Sequence, residues 1–224
     1  KEIFLLSNYV VSISRWHYET LRSISYATNL KLIETDSFVS QSSINIKSST
    51  KITFGYFGRT IHDKGVDILI DAFILLSDQN TQLNIYTKQS NEEDKFAIIL
   101  KNKTNNVSNI KWLSAYHPNE YSRVLNEVDV VVLPTRIIEM SPLILHEAKI
   151  MRKFIIASSN LGTNEVLNAY ESKLIYSINT LQELHKAMTI ATKNEIRSES
   201  NVELSEVNML NDASTEYIKL YSLV

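Results

Sequence analysis

From position 51 onward the chain alternates between short apolar runs and longer stretches in which apolar residues recur every three or four positions. The runs 52–57, 83–87, 109–113, 129–133, 154–158 and 173–177 have the length and β-branched content of buried strands. The stretches between them, 65–77, 92–102, 118–127, 141–151 and 163–169, carry the helical period. The clearest places Val66, Leu69, Ile70 and Phe73 on one face. Pro118 falls in the first turn of its stretch, where a missing N–H costs nothing. A further amphipathic helix is predicted over 181–191. Regular strand–helix alternation argues for parallel βαβ units. Right-handed crossovers then place helices on both faces of a twisted sheet. The predicted fold class is therefore α/β, a doubly wound, Rossmann-like parallel sheet.

Residues 1–50 follow a different pattern. Residues 3–8 read as the end of a helix and 10–13 as a short strand. Positions 15–25 form a helical stretch with Trp16, Thr20 and Ile24 on one side, and 31–38 is strand-like again. The polar run 39–50 reads as a linker. At the other end, 202–224 reads as a terminal helical segment closing on Y-I-K-L-Y. The expected division is 1–50, 51–200 and 201–224, with no internal repeat.

Composition narrows the function classes. The chain has 224 residues, 44% hydrophobic and 21% charged, enough for a real core. A net charge of −2 and a pI near 6.3 give no general pull toward nucleic acid or an anionic membrane. The absence of cysteine excludes disulfides and thiolate metal sites, and fits a cytoplasmic protein. No apolar run approaches the roughly 20 residues of a membrane helix. Residues 1–10 are too short and too polar in their breaks for a signal peptide.

Two stretches carry candidate chemistry. The first, 52–65, reads I-T-F-G-Y-F-G-R-T-I-H-D-K-G: a strand, a tight loop with Gly58, then Arg59 and Lys64 before a helix. Gly58 allows a sharp turn or a close approach to a ligand. In open α/β sheets ligands bind at the carboxyl ends of strands, so these cations suit a diphosphate. The competing reading is two solvated basic residues in a loop. The second stretch, 134–148, reads P-T-R-I-I-E-M-S-P-L-I-L-H-E-A and follows the run D-V-V-V-L. Ser141 is predicted as N-cap and Pro142 as the first helical residue, delivering a helix N-terminus suited to anions. Glu139 and Glu147 frame it, eight residues apart. Glu147 lies among Leu143, Ile144, Ile150 and Met151, so it is expected to be partly buried and to need a partner. The plain alternative is a capped helix with a carboxylate at the rim of the core.

In order and spacing over 50–170, these pieces resemble the donor-binding, C-terminal half of a retaining GT-B glycosyltransferase of family four, the glycosyl transferases group 1. The match comprises Gly58-Arg59-x4-Lys64-Gly65 and the helix V-D-I-L-I-D-A-F. It continues with the strand D-V-V-V-L-P and the E-x7-E motif from Glu139 to Glu147, with S-P-L inside it. It ends with the strand F-I-I-A-S-S and G-T-N-E-V at 162–166. The resemblance implies that 1–50 is a remnant of the N-terminal, acceptor-binding GT-B domain plus linker. It implies a nucleotide-diphosphate sugar as donor, and a glycan or lipid-linked acceptor met through the missing domain. It implies Arg59 and Lys64 on the diphosphate and Glu139 at the sugar, these three being the expected catalytic residues. Glu147 is then on the ribose, with Gly58, Met140, Ser141, Pro142 and Leu143 also contacting the donor. No metal and no cofactor are implied, and polysaccharide or glycolipid biosynthesis is the expected setting. The full-length protein is expected in the cytoplasm, with peripheral association at the inner membrane face as a variant.

Departures from the family pattern bear on the details. Thr87 and Lys88 stand where a Gly-x-Gly turn is common, so Lys88 is either a further phosphate-side cation or a solvated one. Ser114, Ala115 and Tyr116 are expected near the base, Tyr116 as a packing residue with a stacking role in reserve. Met140 replaces a smaller or amide residue and is expected to narrow the sugar pocket. H-E-A-K-I around His146 lacks the second histidine of a zinc helix. His17, His62, His117 and His185 are read as surface or satisfied core residues. Two other functions fit the same motifs: a transferase-like partner module without catalysis, and a GT-B-type nucleotide-sugar 2-epimerase.

Overall fold

The computed structural model describes residues 6–24, 28–34, 51–88, 95–193 and 218–220. The expected linker, residues 3–5 of the helix end at 3–8, residues 35–38 of the second strand-like run and most of the terminal segment lie outside these residues. A short unit comes first: strand β1 (Val10–Ser12), helix α1 (Arg15–Arg22) and strand β2 (Leu30–Leu32), the two strands pairing in parallel. Then follow β3 (Ile52–Phe57), α2 (Val66–Leu76), β4 (Thr81–Thr87), α3 (Lys95–Thr104), β5 (Ile110–Ser114), α4 (Tyr121–Asn126), β6 (Val130–Leu133), α5 (Leu143–Ile150), β7 (Phe154–Ser158), α6 (Leu161–Val166), β8 (Lys173–Tyr176) and α7 (Leu181–Lys193).

The last six strands form one sheet in the order β5-β4-β3-β6-β7-β8, every neighbouring pair parallel. This is the doubly wound arrangement expected from the alternation. Successive strand residues point to opposite faces, so a strand covered on both sides must be apolar throughout. Phe54, Tyr56, Leu83 and Ile85 face α2 and α7, where Leu69, Phe73, Leu184 and Met188 close one core. Val131, Leu133, Ile155 and Ala157 face α4 and α5, where Leu125, Leu145 and Ala148 close the other. Phe54 is fully buried and meets Phe73 edge-to-face at 6.1 Å.

Element boundaries differ from the sequence reading where side chains break the local period. β4 begins at Thr81 rather than 83, because Thr81 and Gln82 pair in register with Ile52 and Thr53. Gln82 and Asn84 make the strand look half-polar, and they bond each other at 2.7 Å on one face. α6 begins at Leu161, two residues before the expected start, because Asn160 caps it by accepting from the Thr163 N–H at 3.1 Å. α5 begins at Leu143. Ser141 is not its cap: its hydroxyl is bonded to His146 Nε2 at 2.8 Å, and Pro142 occupies the N-cap position with extended ψ of 112°.

Candidate active site

The order of the sheet places the switch point between β3 and β6. There the chain leaves one strand toward β4 and the other toward β7. Ligands of doubly wound sheets bind outside the carboxyl ends of strands at such a crevice. The two loops singled out from sequence, 58–65 and 134–142, both start at this crevice.

They are fastened together. Gly65 has φ 68°, a left-handed value, and a Cβ there would lie 1.9 Å from the Pro134 carbonyl oxygen. Only glycine fits so near the other loop. Gly58 is not the residue that turns the backbone, since Gly65 is the glycine with positive φ. Gly58 instead continues the ladder, donating to the Tyr86 carbonyl at 3.1 Å. The Arg136 N–H and the Thr135 hydroxyl both donate to the Asp63 carbonyl, at 2.8 and 3.3 Å. Arg136 then grips Asp67 with two parallel bonds of 2.7 and 2.9 Å, reaches the His62 carbonyl, and donates from Nε to Asn179 at 2.7 Å. Burial raises the Asp67 pKa, but the Arg136 fork outweighs it and holds the carboxyl below its usual range.

Across this frame Lys64 Nζ forms an ion pair with Glu139 Oε1, the two side chains 21 and 17% exposed. They are 75 residues apart in sequence. Arg59, on the same loop as Lys64, is exposed, and its guanidinium makes no hydrogen bond or ion pair among the described residues. Its carbonyl is fixed by the Tyr56 hydroxyl at 2.7 Å. Burial first, then the charges of Glu139 and Asp67, keep that phenol protonated well above its ordinary range.

Glu147 is placed as its apolar neighbours suggested. It is partly buried on α5, with the Tyr116 hydroxyl near its carboxylate. Burial pushes its pKa up to about 7, against a smaller lowering by Tyr116. Tyr116 is committed to packing, since its ring stands edge-on to Phe57 at 5.9 Å and Tyr86 at 6.2 Å. Ser114 and Ala115 are exposed at the end of β5. Lys88 is exposed just after the end of β4. The preceding Thr87 bonds the Thr60 hydroxyl at 2.9 Å, tying the β4 end to the first loop. Pro142 is buried, whereas Met140 and Leu143 are exposed with Ile137, Ile138 and Leu161, an apolar rim beside the two carboxylates. His146 is buried and satisfied by Ser141, and among the described residues no group of three His, Asp or Glu is arranged to hold a metal.

Sequence reasoning missed Arg136, Asp67 and Asn160 as parts of the site. Asp67 at the first turn of a helix and Arg136 two residues past a strand are commonplace in sequence, and only their meeting is informative. Asn160 was legible as a capping residue ahead of a helix.

The chain resembles several solved structures. Over its whole length it matches sucrose-phosphate synthase from Thermosynechococcus elongatus with TM-score 0.81 and 17% identity, covering 61% of that chain. It matches Anabaena HepE, solved in complex with UDP and glucose, with TM-score 0.77 and 15% identity, covering 98% of this chain and 64% of that one. It matches a point mutant of S. aureus TarM, solved in complex with Fondaparinux, alpha-GlcNAc-glycerol and UDP, with TM-score 0.77 and 17% identity, covering 98% of this chain and 45% of that one. At such identities the likeness shows the fold, and the chain spans less than two thirds of each of these structures. Among curated protein sequences there is no match. The family model described as glycosyl transferases group 1 matches residues 40–207, most of the chain, and the chain belongs to that family.

Proposed function

We propose that the chain is the donor-binding half of a retaining, metal-independent glycosyltransferase that takes a nucleotide-diphosphate sugar. The observation that carries this is the Lys64–Glu139 ion pair at the switch point, with Arg59 exposed on the Lys64 loop. Glycosyl transfer breaks the bond between the anomeric carbon and the β-phosphate oxygen. Positive charge grows on the sugar and negative charge on the leaving diphosphate, so a transferase needs fixed groups of both signs close together.

In this reading Arg59 takes phosphate oxygens through its planar fork, and Lys64 exchanges Glu139 for a phosphate oxygen as the donor enters. The start of α5 adds backbone N–H groups toward the same anion, since no side chain caps it. These positive groups take the part a divalent cation plays elsewhere. Glu139, released from Lys64, accepts from sugar hydroxyls and steadies the developing positive charge. Glu147 accepts from the ribose hydroxyls once ionised, and Tyr116 orients it. Gly58, Met140, Ser141, Pro142 and Leu143 line the donor, with Met140 limiting room at the sugar. Transfer with retention places the acceptor on the face the leaving group departs from. The acceptor, a glycan or a lipid-linked sugar, is met through an N-terminal domain of which residues 1–50 are the end. Peripheral attachment to the inner membrane face is part of the proposal for a lipid-linked acceptor.

Calorimetric titration with UDP, GDP, ADP, TDP and CMP, with and without magnesium, tests this reading. The expected result is saturable binding of one diphosphate, unchanged by magnesium and weakened at least tenfold in Lys64→Ala. Absence of binding by all five, or binding only with magnesium, overturns the corresponding part.

A further inference from the structure

Helix α1 lies outside the six-stranded sheet, yet its first turn is bonded into the loop that carries Glu139. The N–H groups of Arg15 and Trp16 donate to the two oxygens of the Glu165 carboxylate at 2.9 and 2.7 Å. Ser14, at the N-cap, makes no side-chain capping bond. Glu165 of α6 fills that role from a distant part of the chain, satisfying two orphan donors with a charge that suits the helix dipole. Trp16 then donates its indole N–H to the Met140 carbonyl at 3.2 Å. From the other side, the N–H of Glu139 donates to Asn160 Oδ1 at 3.4 Å. Gly162 sits so close that a Cβ would lie 1.9 Å from the Glu139 carbonyl oxygen and 2.7 Å from that of Met140. The backbone of Glu139 and Met140 is thus held between α1 and α6, while the Glu139 carboxylate faces Lys64.

We propose that Trp16 and Glu165 are positioning residues for Glu139. Together they make α1 a clasp that fixes the sugar-facing loop and couples the segment ahead of the sheet to recognition of the sugar, not of the diphosphate. The proposal deepens the donor-site reading and rests on it for its ligand. Both residues act through the loop backbone. Their loss therefore separates the two halves of the donor: the diphosphate partners Arg59 and Lys64 keep their places, and Glu139 loses its own.

Amide hydrogen exchange on the 224-residue chain tests the clasp without any ligand. Trp16→Phe keeps an aromatic ring and removes the donor, Glu165→Gln removes the charge that holds α1, and Glu19→Ala on the exposed side of α1 is the control. Loss of one net hydrogen bond corresponds to roughly five- to tenfold faster exchange, expected across 136–142 in the first two variants and not in the control. Unchanged exchange there in both variants overturns the proposal. Calorimetry then compares UDP-glucose with UDP, and ADP-glucose with ADP. Trp16→Phe is expected to weaken the sugar nucleotide about fivefold and leave the diphosphate within about twofold. Equal weakening of both overturns the positioning role in favour of a purely structural one. If the wild-type chain binds none of the four, hydrogen exchange alone decides whether the clasp stands, and the donor reading is decided separately by the five-nucleotide titration.

Discussion

Glu147 shows how one side chain carries a consequence that its neighbours impose. Burial raises its pKa from the ordinary 4.5 to about 7, against a smaller lowering by the nearby Tyr116 hydroxyl. Between these values the unfolded carboxyl is ionised while the folded one still holds its proton. The native state then binds more protons, so stability falls as pH rises from about 4.5 to about 7. After discounting for residual exposure, the loss is on the order of 2 kcal/mol. Glu147→Gln cannot ionise, so its melting temperature relative to wild type is expected to rise steadily from about pH 5 to about pH 8. A constant difference across that range would mean that the folded carboxyl is ionised throughout. On the proposed function the same titration governs the donor. Nucleotide affinity is expected to increase as pH passes through about 7 in the wild type and to stay flat in Glu147→Gln. The partial burial of Glu147 was legible in its sequence neighbours. Its partner was not, because Tyr116 reaches it from the end of a different strand.

At the scale of elements, the site depends on two strand-to-helix loops staying in register. Arg136 and Asp67 staple them through two bonds, with side chains 14 and 24% exposed. A lysine can replace the charge but not the fork. Arg136→Lys is therefore expected to lower unfolding free energy by about 1–2 kcal/mol in urea. An unchanged midpoint would show that the staple adds nothing. The pH signature runs opposite to that of Glu147. The depressed Asp67 carboxyl contributes stability above its ordinary value of 3.8, which is lost as pH falls below that value through the folded pKa. Arg136→Lys should shrink this acid-side loss. The helix starts carry a related lesson. Asn160 announced α6 by a capping side chain, but Ser141 ahead of α5 spends its hydroxyl on His146, and local sequence does not distinguish the two uses.

For the whole molecule, the decisive fact is proportion. The chain spans 61% of the sucrose-phosphate synthase structure it matches and 45% of the TarM one. On the proposed function the 224-residue chain holds the donor side, and the acceptor is met through another domain. It is expected to bind the sugar nucleotide and yet transfer to acceptor at least a hundredfold more slowly than a chain carrying the acceptor domain. Radiolabelled transfer to an oligosaccharide or lipid-linked acceptor measures this. Robust turnover by the chain alone would place the acceptor site within it. Isomerised sugar formed without acceptor would instead favour the epimerase reading.

Taken by itself, the sequence determined the strand–helix alternation, the doubly wound class, and the two loops whose ordered motifs mark the family. Hydrophobic period and glycine spacing are local properties, written in neighbours within a turn or a strand. Only the tertiary structure decided which distant residues meet. Strand order brings β3 beside β6, and through that one adjacency Lys64 finds Glu139 and Arg136 finds Asp67. The packing of α1 on α6 adds Trp16 and Glu165 behind the same loop. No periodicity encodes such pairs, because each depends on the register of elements that the chain visits far apart.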